Sequence, residues 1–391
     1  MRGVLYLAWR YILWHRWKSA ILIAAVTLVV YLPLGLQLVV ERTATDITAR
    51  ADATPLLLGR RGSPLELVLN SLYFSSDYPQ PLNYGQQQDL RQSGLVDPIP
   101  LYVRFHSQRV PIVGTSLDYF EFRGLELAQG RQLVSLGEAV LGARAAEVLG
   151  VNVGDTVLSS PESVFELAGV YPLKMPVVGI LAPRFDQDDG AIFVDLKTAW
   201  IIEGLGHGHQ DLTSSQAAGA ILKTEGERIV ANASLVQYNE ITPDNIDSFH
   251  FHGDLSRLPL TAILPVPRDN KGRVLIQGRY QSNETLQMLS PREVIDQLLE
   301  TVFAVQRYVL VAMVMVAVAT GAVILLVFLL SWRARRGEQL TLLRLGGSRF
   351  VITSLMLAEA LVVTLLALFL AAVLTALTIT FGGPLLQAVV M

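Results

Sequence analysis

The hydrophobic residues are concentrated in three long apolar runs, one near the N-terminus and two near the C-terminus. The first occupies residues 20–40, the length needed to cross a hydrocarbon core about 30 Å thick. The second occupies residues 307–332 and the third residues 350–381. This pattern predicts three transmembrane helices, and the third run is longer than one crossing requires.

Basic residues at the ends of these runs indicate their orientation. Four of them precede the first run without an acidic residue: Arg2, Arg10, Arg16 and Lys18. Three follow the second run: Arg333, Arg335 and Arg336. The positive-inside rule therefore places residues 1–19 and 333–349 in the cytoplasm and residues 41–306 outside. A secretory signal peptide is the competing interpretation of the first run, but its potential cleavage site at residues 51–53 lies too far beyond it.

The boundaries of the last two helices have local signals. Ser290 and Pro291 predict a helix start, so the second helix is expected to extend outward from residue 291 as a stalk. The simplest interpretation of this external part is a packed helix, and mechanical transmission through it is an added hypothesis. Gly382, Gly383 and Pro384 predict the end of the third helix at residue 381. Residues 382–391 are then expected to form a short external tail without a fourth crossing.

The external segment has the pattern of an α+β domain. Its first part is expected to continue the first helix and then form a loop around residues 74–88. Short β-branched or apolar runs separated by Gly, Pro and Asp predict strands at residues 102–105, 110–113, 157–158, 177–181 and 192–194. Residues 143–149 predict one short helix. The fold class is therefore an α-helical membrane protein with a large α+β extracytoplasmic domain.

Composition agrees with a membrane protein and narrows the chemistry. The chain is 51% hydrophobic and only 17% charged, with a net charge of −3 and no cysteine. Thiol catalysis, disulfides and a nucleic-acid surface are therefore not expected. The sequence has no phosphate-binding Gly-x-x-x-x-Gly-Lys-Ser/Thr loop, so ATP hydrolysis is expected on a separate subunit.

Several motifs carry a family resemblance. The cytoplasmic segment reads Arg335-Arg336-Gly337-Glu338, then Leu345-Gly346-Gly347-Ser348-Arg349, with Glu359-Ala360 in the third run. The external segment contains, in order, Asp118-Tyr119-Phe120, Gly130-Arg131, Glu138 to Gly142, Leu149 to Val151 with Gly154-Asp155, and Val178 to Leu181. Together these motifs resemble the permeases related to MacB, FtsX and the lipoprotein-releasing Lol proteins, the type VII ABC transporter family.

The resemblance implies a permease subunit in the bacterial inner membrane, with its large domain in the periplasm. It implies a homodimeric or pseudodimeric permease that binds two copies of a separate ABC ATPase and transmits ATP-driven motion to the outside. A periplasmic adaptor, lipoprotein or metal-binding protein is a further expected partner. Family members usually have four spans, whereas three are predicted here.

The resemblance places ATPase coupling in the cytoplasmic segment. The expected coupling residues are Glu338, Leu342, Arg344, Gly346, Ser348 and Arg349. The segment from Glu338 to Arg349 is amphipathic, which suits a short helix that an ATPase grips. The alternative is a basic loop that only fixes topology. Glu359 lies in apolar sequence, and either snorkelling to the membrane edge or pairing with an arginine is expected there rather than proton transport.

Two matching clusters predict a metal site. Each reads His-x-His-x-Asp, and the candidate ligands are His207, His209, Asp211, His250, His252 and Asp254. Residues two apart in an extended chain point to the same side, so each cluster can aim its ligands at one point. Imidazole and carboxylate are ligands for zinc and similar divalent ions. The alternative is that these are polar loop residues.

The sequence thus favours a permease that exports or transfers a substrate on the periplasmic side, with a link to zinc or another divalent metal. A non-transporting, FtsX-like regulator of a cell-wall hydrolase is the alternative function. A membrane-anchored metal receptor or enzyme is a third reading, for which no acid, base or oxyanion group is identifiable.

Overall fold

A computed structural model describes residues 2–75, 77–160, 172–209, 221–225, 228–231, 238–344, 346 and 348–390. The chain divides into two compact units. One combines Met1–Ile47 with Leu299–Met391, and the other is Thr48–Leu298. The helices in chain order are α1 Arg2–Trp14, α2 Arg16–Asp52, α3 Pro64–Tyr73, α4 Gly85–Gln92, α5 Leu117–Arg123, α6 Ala143–Leu149, α7 Leu196–Ile202, α8 Asn270–Gln281, α9 Pro291–Ala334, α10 Arg336–Arg344 and α11 Arg349–Val390.

Among the described residues, three helices are long and apolar enough to cross a membrane. They are α2, α9 and the part of α11 from Arg349 to Thr380. Helix α9 begins at Pro291, as predicted, and its 44 residues give a length of about 66 Å. The predicted helical continuation of the first run is also confirmed, because α2 extends to Asp52.

The predicted end of the third helix is wrong. Helix α11 continues through Gly382, Gly383 and Pro384 to Val390. A proline removes one backbone hydrogen bond and crowds the preceding turn, but long apolar helices tolerate this interruption. Pro33 lies inside α2 in the same way.

The strands of the second unit in chain order are β1 Leu57–Arg60, β2 Leu82–Asn83, β3 Val96–Ser107, β4 Val110–Thr115, β5 Leu127–Gly130, β6 Ala139–Leu141, β7 Thr156–Leu158, β8 Lys174–Leu181, β9 Ile192–Asp195, β10 Gly206–Gly208, β11 Ile221–Glu225, β12 Arg228–Ala231, β13 Phe249–Phe251, β14 Pro259–Leu260, β15 Ala262–Pro267 and β16 Leu286–Leu289. The five predicted strands are confirmed as β3, β4, β7, β8 and β9. The predicted helix at residues 143–149 is confirmed as α6. The predicted loop at residues 74–88 is partly wrong, because α4 starts at Gly85.

A mixed sheet forms the centre of this unit. Its order is β16-β1-β15-β3-β4-β9-β6-β8-β5, with β7 paired to β8. The pairs β4–β9 and β6–β8 are parallel, whereas the other pairs are antiparallel. Its core includes the fully buried side chains of Tyr102, Tyr119, Phe193 and Trp200. Three smaller antiparallel pairs lie beside this sheet: β10–β13, β11–β12 and β14–β2. The α+β class predicted for the domain is therefore confirmed.

Candidate functional site

The two histidine clusters meet on one short antiparallel ladder. In the pairing of β10 with β13, His207 lies directly opposite His250. His209 and His252 each follow two residues later in their own segment, so strand alternation brings all four to one face. The sequence predicted one face for each cluster but could not predict that the two faces are the same.

The four imidazoles form a compact group. The ring centroids of His207 and His250 are 4.9 Å apart, and those of His207 and His252 are also 4.9 Å apart. His209 lies 5.1 Å from His250, and His250 lies 4.8 Å from His252. Nε2 of His207 and Nε2 of His252 are 3.5 Å apart. Three of these residues, His207, His209 and His250, offer ligand atoms within 4.8 Å of one another.

The surroundings of His207 favour its neutral form. Burial lowers the pKa of His207 below its ordinary value, and the neighbouring rings of His250, His252 and His209 lower it further. Crowding of groups that would each become positive has this effect. Neutral imidazole is the form that binds metal ions.

The two predicted aspartate ligands have different outcomes. Asp211 lies outside the described residues. Asp254 begins a short 3₁₀ turn, where its Oδ1 accepts the amide of Ser256 at 2.9 Å and its Oδ2 accepts the Ser256 hydroxyl at 2.7 Å. These hydrogen bonds lower the pKa of Asp254. The carboxylate therefore caps a turn.

The segment predicted to be cytoplasmic contains helix α10, a turn at Gly346 and the start of α11. Helix α10 ends at Arg344, five residues before the predicted end of the amphipathic segment at Arg349. Gly346 has φ of 89°, in the left-handed region that favours glycine, and this conformation stops the helix. Ser348 then begins α11, because its Oγ accepts the amide of Val351 at 3.3 Å. The family-like Leu-Gly-x-Ser-Arg motif thus encodes a helix stop followed by a helix start.

The predicted coupling residues fall on both sides of this turn. Glu338 and Leu342 lie on α10, and their side chains are outside what the structure describes. Arg344, Ser348 and Arg349 are exposed. The turn therefore presents two arginines to solvent.

Glu359 makes the ion pair that the sequence predicted. Nη1 of Arg335 donates to Oε2 of Glu359 at 2.9 Å, and both side chains are about nine-tenths buried. The Arg335 guanidinium carbon also lies 3.2 Å from the ring centre of Tyr11. The pair fixes the junction of α9 and α10 to α11.

A second buried ion pair was not predicted. Arg50, in the last turn of α2, donates from Nη1 and Nη2 to the two carboxylate oxygens of Asp188 at 2.9 and 2.8 Å. Nη2 also reaches the hydroxyl of Tyr119 at 3.1 Å, and Nε donates to the carbonyl of Leu72. The Tyr119 hydroxyl in turn donates to Asp188 at 2.8 Å. All of these groups are buried, so the last turn of α2 is locked into the sheet domain.

A further ion pair, formed by Asp52 two residues after Arg50, joins the start of α9 to the end of α2. Arg292 donates to Asp52 at 2.6 Å, and both side chains are about half exposed. No local pattern in the sequence predicts either pair, because the partners of Arg50 and Arg292 lie 138 and 240 residues away.

Long apolar helices that continue into a mixed-sheet domain define a membrane protein with a large external domain. The family model described as the MacB-like periplasmic core domain matches residues 20–232, more than half of the chain. The chain therefore belongs to the family of proteins with a MacB-like periplasmic core domain. This match confirms the resemblance found in the sequence and identifies the large domain as a periplasmic domain.

Two solved structures are similar over most of their own length. The periplasmic region of MacB from Actinobacillus actinomycetemcomitans is 14% identical, with a TM-score of 0.34, and the match covers 63% of this chain and 92% of that one. The extracellular domain of the noncanonic ABC-type transporter YknZ from Gram-positive bacteria is 10% identical, with a TM-score of 0.33, and covers 60% and 98%. Comparison with curated proteins found no match. The family assignment rests on the sequence match.

Proposed function

We propose that this protein is the permease subunit of an ATP-driven transporter and transmits motion to its periplasmic domain. ATP is hydrolysed by a separate ABC ATPase, and the permease exports or transfers a substrate on the periplasmic side. Membership of the MacB-like family supports the class. The observation that carries the transmission role is the buried Arg50–Asp188 pair at the end of α2.

The physical argument concerns how a helix can move a domain. A displacement along α2 reaches the sheet only if the end of the helix is attached to it. Arg50 attaches that end through hydrogen bonds to Asp188, Tyr119 and Leu72, and Arg292 ties the start of α9 to Asp52 beside it. Both helices are continuous through the segments predicted to span the membrane.

The turn between α10 and α11 is the proposed contact for the ATPase. Arg344 and Arg349 are exposed on either side of Gly346, so a partner with an acidic groove can bind both. The buried Arg335–Glu359 pair holds this turn against α11. A homodimeric permease and a periplasmic adaptor, lipoprotein or metal-binding protein remain proposals for the rest of the assembly.

The coupling proposal predicts that reversing the charge of the turn removes the ATPase. The tagged full chain is purified from membranes, and ATP hydrolysis is measured in the eluate. The double variant Arg344→Glu, Arg349→Glu is expected to lower the copurifying activity at least about tenfold, since several kcal/mol are lost when like charges face each other.

Arg279→Glu, an exposed arginine of the periplasmic domain, is the matched control and should retain the activity. An unaltered chain that carries no ATPase activity, or equal activity in the charge-reversed chain, would refute the coupling proposal.

A further inference from the structure

The two faces of the β10–β13 ladder carry different residues and have different roles. Gly206 and Gly208 alternate with the histidines of one segment, and Phe249 and Phe251 alternate with those of the other. A Cβ atom on Gly206 would come within 2.6 Å of the Phe251 ring, so the glycines make room for the phenylalanines. Phe251 then packs edge-on against the buried Trp200, at 6.1 Å between ring centres. The glycine–phenylalanine face therefore provides the packing, and the histidines are not needed for it.

The histidine face is turned outward. His207, His209 and His250 are half-buried and His252 is exposed. An outward face needs no aromatic packing, and an ordinary solvated face carries charged or small polar residues. On such a face, four imidazoles of which each lies within about 6 Å of at least two others instead match the donor set that divalent metals of intermediate softness select.

Distances within the group are close to those of a coordination sphere. Zinc binds imidazole nitrogen at about 2.0–2.1 Å, so two ligands at a tetrahedral angle have nitrogens about 3.3 Å apart. The Nε2 atoms of His207 and His252 are already 3.5 Å apart. The ligand atoms of His207, His209 and His250 lie within 4.8 Å of one another. Side-chain rotations that move each ligand atom by about 1 Å therefore suffice to bring them to one ion.

One of the rings is also oriented as metal-bound imidazoles are. Nδ1 of His250 lies 2.9 Å from the carbonyl oxygen of Ser248, to which only an N–H can donate. This hydrogen bond leaves the lone pair on Nε2. Donation of the second ring nitrogen to a carbonyl is the usual outer-shell arrangement of histidine ligands, because it fixes both the tautomer and the ring orientation.

The geometry points to a divalent-metal site formed by His207, His209, His250 and His252, which takes Zn²⁺ or a comparable borderline ion. Its ligands come from two segments whose outer members are 45 residues apart, so a bound ion cross-links β10 to β13. Because the imidazoles lie on an outward face, a ligand from a carrier or substrate can reach the ion, where it would displace one of the four imidazoles. Asp254 is not included in the proposed ligand set, because both of its oxygens accept hydrogen bonds from Ser256. This site goes beyond the coupling proposal and does not depend on it.

Metal binding is tested on the purified full chain in detergent. Zinc is titrated in competition with a chromogenic chelator, and the expected result is saturable binding of about one Zn²⁺ per chain. The variant His207→Ala, His250→Ala removes the two directly opposed ligands and is expected to weaken binding at least about tenfold, no less than outer-shell changes do. The control variant His15→Ala, His106→Ala removes two histidines outside the group and should bind as the unaltered chain does.

Two further measurements make the test decisive. Asp254→Asn should leave the affinity unchanged, and a tenfold loss would overturn the all-imidazole ligand set. Cobalt added to the unaltered chain should give visible d–d absorption bands of a tetrahedral site, and this readout does not depend on whether a variant folds. Absence of those bands, absence of zinc binding, or equal binding by the His207→Ala, His250→Ala variant would overturn the site. None of these measurements uses nucleotide, so failure here leaves the coupling proposal standing.

Discussion

Replacing Asp188 with asparagine is expected to destabilise the periplasmic domain by about 3–5 kcal/mol, because it leaves the buried charge of Arg50 without a counter-ion. Both partners are almost fully buried, with side-chain exposures of 7% for Arg50 and 1% for Asp188. Amide hydrogen exchange in β3 and β4 measures the loss as a lower free energy of opening for this domain.

The destabilisation that Asp188→Asn causes is expected to depend on pH. Burial alone would raise the pKa of Asp188, but the charge and hydrogen bonds of Arg50 outweigh it and hold the pKa below its usual value. A carboxyl with a lowered folded-state pKa stabilises the fold above its unfolded pKa of about 3.9, and the stabilisation is lost as pH falls through the folded value. The difference between the unaltered chain and Asp188→Asn should therefore be constant at neutral pH and shrink in acid.

The matched control is an exposed ion pair of the same domain. Asp97 accepts from Arg268 at 2.7 Å, with side chains 63% and 58% exposed. Solvent screens such a pair, so Asp97→Asn is expected to cost less than about 1 kcal/mol. Equal effects of Asp97→Asn and Asp188→Asn would contradict a locked joint at the end of α2.

Loss of the Glu359 carboxylate is expected to destabilise the membrane-spanning helices by about 3 kcal/mol, since it breaks an ion pair whose two side chains are almost fully buried. The Arg335 and Glu359 side chains are only 10% and 8% exposed. The variant Glu359→Gln is heated in detergent, and the fraction of monodisperse chain is measured against temperature. The temperature at which half of the chain is no longer monodisperse should be lower for the variant than for the unaltered chain.

Two variants separate the pair from general charge effects. Arg333→Gln, an exposed arginine two positions before Arg335, should leave the transition within experimental error. The double variant Arg335→Gln, Glu359→Gln removes both charges and should recover part of the loss. A Glu359→Gln chain as stable as the unaltered one would show that the pair does not hold α10 against α11.

The sequence predicts the membrane-spanning helices well because transfer into lipid is a local property of each segment. The same local reasoning failed at Gly382 to Pro384, where an apolar environment supports a helix that these residues would end in water. It also placed the end of α10 too late, although Gly346 and Ser348 contained the signal for a stop and a new start.

Pairing between distant segments limits what could be predicted for the sites. Strand alternation correctly suggested that His207 and His209 share a face, but their register against His250 depends on the folded sheet. Arg50 stands in a charged stretch at the end of α2 without a feature that distinguishes it from its neighbours. Its importance appears only when Asp188, Tyr119 and Leu72 are brought around it.

Cysteine labelling tests the central claim, that the sheet domain and the α10–α11 turn lie on opposite sides of the membrane. The chain has no cysteine, so single substitutions report one position each. Val134→Cys lies at an exposed site of the sheet domain, 82% exposed, and Thr341→Cys lies on the exposed surface of α10. A membrane-impermeant maleimide applied to spheroplasts should label Val134→Cys at once and Thr341→Cys only after lysis. Labelling of Thr341→Cys in intact spheroplasts, with Val134→Cys protected, would contradict this membrane topology.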